Sequence, residues 1–97
     1  MHHKTVDRHI ILGVHLTDRI KEEGEVQKQL TAFRGYIKTR LDLHEVETPH
    51  GSPLGPRDGL ILLEMVVPLS KAKSLVAKLK AVHGVHVKTM VFGHPSH

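Results

Sequence analysis

Hydrophobic and polar positions along the chain switch between two periods, and the switches mark its elements. Arg8 to Leu16 (RHIILGVHL) puts Ile10, Leu12, Val14 and Leu16 on one side and His9, Ile11, Gly13 and His15 on the other. Such a segment is expected to be a mostly buried strand. Thr17 and Asp18 are helix-opening residues, and Glu22, Glu23 and Glu25 supply negative charge suited to a helix N-terminus. Val26, Leu30 and Phe33 then recur at helical spacing, and Arg34-Gly35 stops them. Gly24 weakens the first turns, so the helix is expected to begin properly only near it.

Tyr36 to Val46 (YIKTRLDLHEV) alternates again as a half-exposed strand. Ile37, Thr39, Leu41 and Leu43 are expected to face inward, and Lys38, Arg40, Asp42 and His44 to face away. Glu47 to Asp58 holds three Pro and two Gly and predicts a loop, longer than a hairpin turn. Gly59 to Val67 is a second nearly continuous apolar strand, interrupted by Glu64 and stopped by Pro68. Ser70 is then the expected N-cap of a second helix with Ala72, Leu75, Val76, Leu79 and Val82 as its apolar stripe and Gly84 as its end. Val85 to Phe92 alternates as the last strand, while 1–7 and 93–97 have no pattern.

The order βαββαβ predicts an α+β fold, the ferredoxin-like plait, with two helices on one face of a four-stranded antiparallel sheet in the order 4-1-3-2. That order centres strands one and three, the two apolar runs, and leaves the charged strands two and four at the edges. The whole of 1–97 is one expected domain with a core over about 8–92, since 97 residues suit a single hydrophobic core. Ile11, Leu60, Leu62, Val66, Met90 and Phe92 then fall on the face away from the helices. An apolar patch of that kind is rarely left in water. A second copy is the simplest cover, giving a homo-oligomer, dimer or tetramer, with Gly13 allowing close approach.

Composition narrows the chemistry. The chain is 39% hydrophobic and 25% charged, which is globular rather than disordered. Without cysteine there are no disulfides, thiolate zinc sites or cysteine nucleophiles. No stretch approaches the roughly 20 apolar residues of a membrane span, and the first five residues lack a signal-peptide core, so a cytoplasmic location is expected. Met1 to Glu64 carries nine Lys/Arg and ten Asp/Glu, a net of −1; Met65 to His97 carries five Lys and no acid, a net of +5. That imbalance raises nucleic-acid binding as one possible role. Recognition of RNA on a sheet needs stacking aromatics on the central strands, and none stands there. Nucleic acid is therefore not the expected partner, and the helix lysines are expected to snorkel beside the apolar stripe.

Histidine is over-represented, at ten residues. Antiparallel pairing should bring His86 beside His15 at one end of the open face. His9 and His44 share that face, and His50 in the loop could join them. Either set, His15 with His86 or His9 with His44 and His50, could bind Ni, Cu or Zn through imidazole and carboxylate ligands. The competing expectation is ordinary interface or exposed histidine, because no HxH, HxxxH or HExxH spacing occurs.

The segments ILGVHLTDRIKEEGEVQKQL, IKTRLDLHEV, DGLILLEM and VHGVHVKTMVF resemble a family of small regulators of iron-only hydrogenase systems. The resemblance covers about Arg8 to Phe92. It implies an ACT-like, ferredoxin-like fold akin to the ligand-sensing domain of the nickel-responsive repressor. It also implies oligomerisation through the sheet and effector or metal sensing at subunit interfaces. ACT-type domains place ligands near the first strand–helix loop, which here offers His15, Thr17 and Asp18, with Arg40, Glu64 and His86 on nearby strands. Arg40 would favour an anion and Glu64 a divalent metal. The alternatives from other classes are the nucleic-acid-binding domain and a small His-dependent enzyme. No catalytic residues can be singled out, since Asp42 and His44 at i, i+2 are weak grounds for catalysis.

Overall fold

The computed structural model describes residues 6–43 and 58–93. Its elements are β1 (Asp7–Leu16), α1 (Arg19–Ala32), a 3-10 turn (Arg34–Tyr36), β2 (Ile37–Leu43), β3 (Gly59–Pro68), α2 (Leu69–Lys80) and β4 (Val85–Val91). The four strands form one sheet in the order β2-β3-β1-β4, every neighbouring pair antiparallel. This is the expected plait. Except for Asp58, the expected loop over 47–58 lies outside the described residues, as do 44–46 at the expected end of the second strand. Asp7, expected in the tail, instead begins β1 opposite Pro68.

The core forms between one sheet face and the two helices. Ile10, Leu12, Val14 and Leu16 of β1 are buried together with Ile61, Leu63, Met65 and Val67 of β3. Val26 and Leu30 cover them from α1, and Ala72, Leu75 and Leu79 from α2, as the helical spacing predicts. Each large side chain so buried contributes roughly 1.5–3 kcal/mol, so these few layers carry most of the fold.

Both helix starts differ from expectation. α1 begins at Arg19, before Gly24, because its first turn is capped from two directions. The Asp18 carboxylate accepts from the Lys21 N–H at 3.4 Å, and the Asp18 N–H donates to Glu22 Oε1 at 3.1 Å. These bonds offset the propensity cost of glycine. α2 begins at Leu69, one residue before the expected cap Ser70. Pro68, at φ −59° and ψ 143°, turns the chain directly from β3 into the helix without a side-chain cap.

β2 is where alternation misleads. Ile37 pairs with Met65 and Thr39 with Glu64, so Lys38 is an extra residue, a β-bulge. Beyond a one-residue insertion every side chain changes face. Thr39, Leu41 and Leu43 therefore join Glu64, Leu62 and Leu60 on the open face, while Arg40 and Asp42 turn to the helix side. Both assignments reverse the sequence expectation. Ile37, ahead of the bulge, stays against the core as expected.

Candidate functional site

The open face has four rows set by strand register. Leu43, Leu60, His15 and His86 form one end row, followed by Leu41, Leu62, Gly13 and Lys88. Next come Thr39, Glu64, Ile11 and Met90, and then Val66 and His9 with Phe92 beside them. The bulge adds Leu41 and Leu43 to the apolar set, so the face is more hydrophobic than alternation predicts. Leu41 is 52% exposed and Met90 56%.

His15 and His86 are direct register partners, as antiparallel pairing predicts, and their rings stack with centroids 6.2 Å apart and 28° between planes. His15 Nε2 is buried and has no hydrogen-bond partner among the described residues. The Asp58 carboxylate stands 3.7 Å from it, too far for a hydrogen bond. Leaving such a ring nitrogen unsatisfied costs about 1–3 kcal/mol. Asp58 reads as a turn residue in the sequence; the signal for it is only its place one residue before a strand whose Leu60 pairs with His15.

The other expected ligands are not gathered at this corner. Thr17 Oγ1 lies 2.9 Å from the Gly84 carbonyl and 3.1 Å from Glu22 Oε2, so its one proton is shared between two acceptors. Asp18 is the N-cap of α1. Glu22, which the sequence offers only as one of several acids, is 6% exposed and ties both residues to the helix. Gly84 closes this latch at φ +88°, where a Cβ would collide with Glu22 Oε2.

Arg40, expected beside the histidines, is on the other side of the sheet because of the bulge. It grips Asp42 through Nε at 2.8 Å and Nη2 at 3.1 Å, and donates through Nη1 to Gln27 of α1 at 2.7 Å. The bidentate Asp42 pair raises the Arg40 pKa further.

Glu64 is on the open face but two register rows from His15, about 13 Å along the strand. It accepts from Thr39 Oγ1 at 2.7 Å and from His9 Nε2 at 2.7 Å. The Thr39 hydroxyl, then His9, hold its carboxyl below the usual carboxylate range. His9 also packs against the Phe92 ring, centroids 5.1 Å apart.

Of the second metal set, His44 and His50 lie outside the described residues. β2 delivers Leu43 to the His15 end of the sheet, opposite the expected His9 end, because β2 runs parallel to β1 across β3. Among the described residues no three His, Asp or Glu side chains are grouped to hold a metal ion. No described helix is long and apolar enough to cross a membrane.

No protein-family model and no curated protein matches the chain. Among solved structures, an uncharacterised protein of Thermotoga maritima matches at 24% identity over 90% of this chain and 99% of its own, with a TM-score of 0.73. The C-terminal domain of the MgtC protein from Mycobacterium tuberculosis matches at 14% identity over 99% and 98%, with a TM-score of 0.58. Both share the ferredoxin-like fold of this chain. A more distant likeness, at 19% identity over 91% of each chain and a TM-score of 0.48, is to a nitrogen regulatory PII-like protein from Thiomonas intermedia bound to ADP, AMP and bicarbonate.

Proposed function

We propose that the chain is a small ACT-like regulatory module that self-associates through its open sheet face. It takes a small effector or divalent metal where the His15–His86 corner meets the second copy. The observation that carries this reading is the buried His15 Nε2, without a hydrogen-bond partner among the described residues, beside a second imidazole on a largely apolar face. A donor or acceptor left unsatisfied at such a place is offset when a ligand or facing subunit supplies its partner.

The nearest charge, Asp58, favours a cation over an anion, with Lys88 one row further along the same face. Arg40 has left the corner for the helix side, and the nearest acid is Asp58 rather than Glu64. Two imidazoles suit Ni, Cu or Zn, and the facing copy would supply the remaining ligands that one chain does not group at this corner. A binding role is favoured over catalysis because three acids near the sheet are held by structural partners: Asp42 by Arg40, Glu64 by His9 and Thr39, Glu22 by the start of α1. The segment resemblance to regulators of iron-only hydrogenase systems supports such a system as the setting.

Calorimetric titration of the metal-free protein with Ni, Cu, Zn and amino acids tests the site. One of these should bind, and His15→Ala/His86→Ala should weaken it by at least about tenfold, the scale of losing a strong polar partner. Unchanged affinity in the double variant would remove the corner from consideration.

A further inference from the structure

A second surface lies along the outer edge of β4. Among the described residues β4 has a neighbour, β1, on one flank only. The Phe92 N–H donates to the His9 carbonyl at 2.9 Å, and this fixes the phase of the strand. Residues 86, 88 and 90 share that phase and turn their backbone groups to β1. Val87, Thr89 and Val91 therefore point their N–H and C=O groups outward, while their side chains face the helices.

Along that flank runs a groove of about 470 Å³ between β4 and α2, lined chiefly by Leu69, Lys73, Val76, Lys80, Thr89 and Val91. Its floor is apolar, and two exposed lysines stand over it. They are two helical turns apart, about 10 Å along the axis, within reach of acids two or four positions apart on an extended strand.

We infer that this flank takes an extended acidic segment of a partner protein as a fifth strand. Its backbone would pair with Val87, Thr89 and Val91; of its groove-facing residues, two acids four positions apart would meet Lys73 and Lys80, and the apolar side chain between them would enter the groove. Lysines also guard edge strands against unwanted pairing, but they do so selectively. Residues 65–97 carry five lysines and no acid, so an edge-to-edge pair of two copies would oppose like charges. The same charges attract a strand of opposite sign. This inference concerns neither the histidine corner nor the open face, so it stands or falls independently of the proposed effector site.

The test uses the full chain and a fluorescein-labelled synthetic peptide of Glu-Thr-Val-Thr repeats, which sets Glu and Val in turn on one face of an extended strand, read by anisotropy. Saturable binding is expected, weakened at least about tenfold by Lys73→Glu/Lys80→Glu. Both positions are exposed and Glu is a good helix former, so circular dichroism should show the variant folded. A peptide N-methylated at the residues facing β4 keeps its charge but loses strand pairing, and should not bind the unmodified protein. The inference fails if no saturable binding occurs up to about 1 mM peptide. It fails equally if the N-methylated peptide binds as well, or if a single-stranded oligonucleotide competes as effectively as unlabelled peptide. Self-association lost in the lysine variant would also overturn it, because the occupant would then be a second copy.

Discussion

Thr39 and His9 reach Glu64 from the strands on either side of it, and the three together show how one carboxylate is held ionised on a sheet face. Because the folded pKa is depressed, its contribution to stability is present above the unfolded carboxylate value, about 4.3, and is lost as pH falls through the lower folded value. Thr39→Val should raise the Glu64 pKa toward the ordinary range, and His9→Ala should raise it by less. Carboxyl-carbon NMR titration measures both. An unmoved midpoint in the threonine variant would show that the hydroxyl is not the main cause. At this scale, the stacked pair His15–His86 was legible in the sequence, since antiparallel order alone brings them together. Glu22 was not, because an acid in a first helical turn ordinarily serves the helix terminus from solvent. Here Thr17 and the Asp18 N–H draw it inward.

Alternation within β1 and β3 identifies the buried set residue by residue, and in β4 it finds Val85 and Val87, while Val91 on the same side is exposed at the strand end. β2 broke the rule by one residue, and Lys38 carries no local mark of a bulge. The shift carries through Arg40, Leu41, Asp42 and Leu43, so one inserted residue separates Arg40 from the expected site. Deleting Lys38 should let Ile37 and Thr39 follow directly, opposite Met65 and Glu64, without shifting the rest of the strand. The deletion variant should then lose less than about 1 kcal/mol, a Tm change within roughly 4–8 °C, by thermal unfolding. If pairing slipped instead, Ile37 would leave the core and the loss would be about 2–5 kcal/mol.

For the molecule as a whole, helices cover one sheet face and nothing among the described residues covers the other. Leu41, Leu43, Val66, Met90 and Phe92 are among the large exposed apolar residues there. The apolar surplus was visible in the sequence, while its extension across β2 needed the bulge. Leu41→Glu should weaken self-association at least about tenfold in sedimentation velocity, and leave the fold intact because Leu41 is outside the core. A native protein that sediments as a monomer at high concentration would count against the face as an interface. The latch of Thr17, Glu22 and Gly84 bears on what such an assembly can do. His15 stands two residues before Thr17, and His86 two residues after Gly84. The Thr17 N–H donates to the Gly84 carbonyl at 3.3 Å, which pins the two loops together. Both imidazoles thus project from backbone already fixed in place. A ligand bridging them has little conformational entropy left to remove, and more of its contact energy remains as affinity.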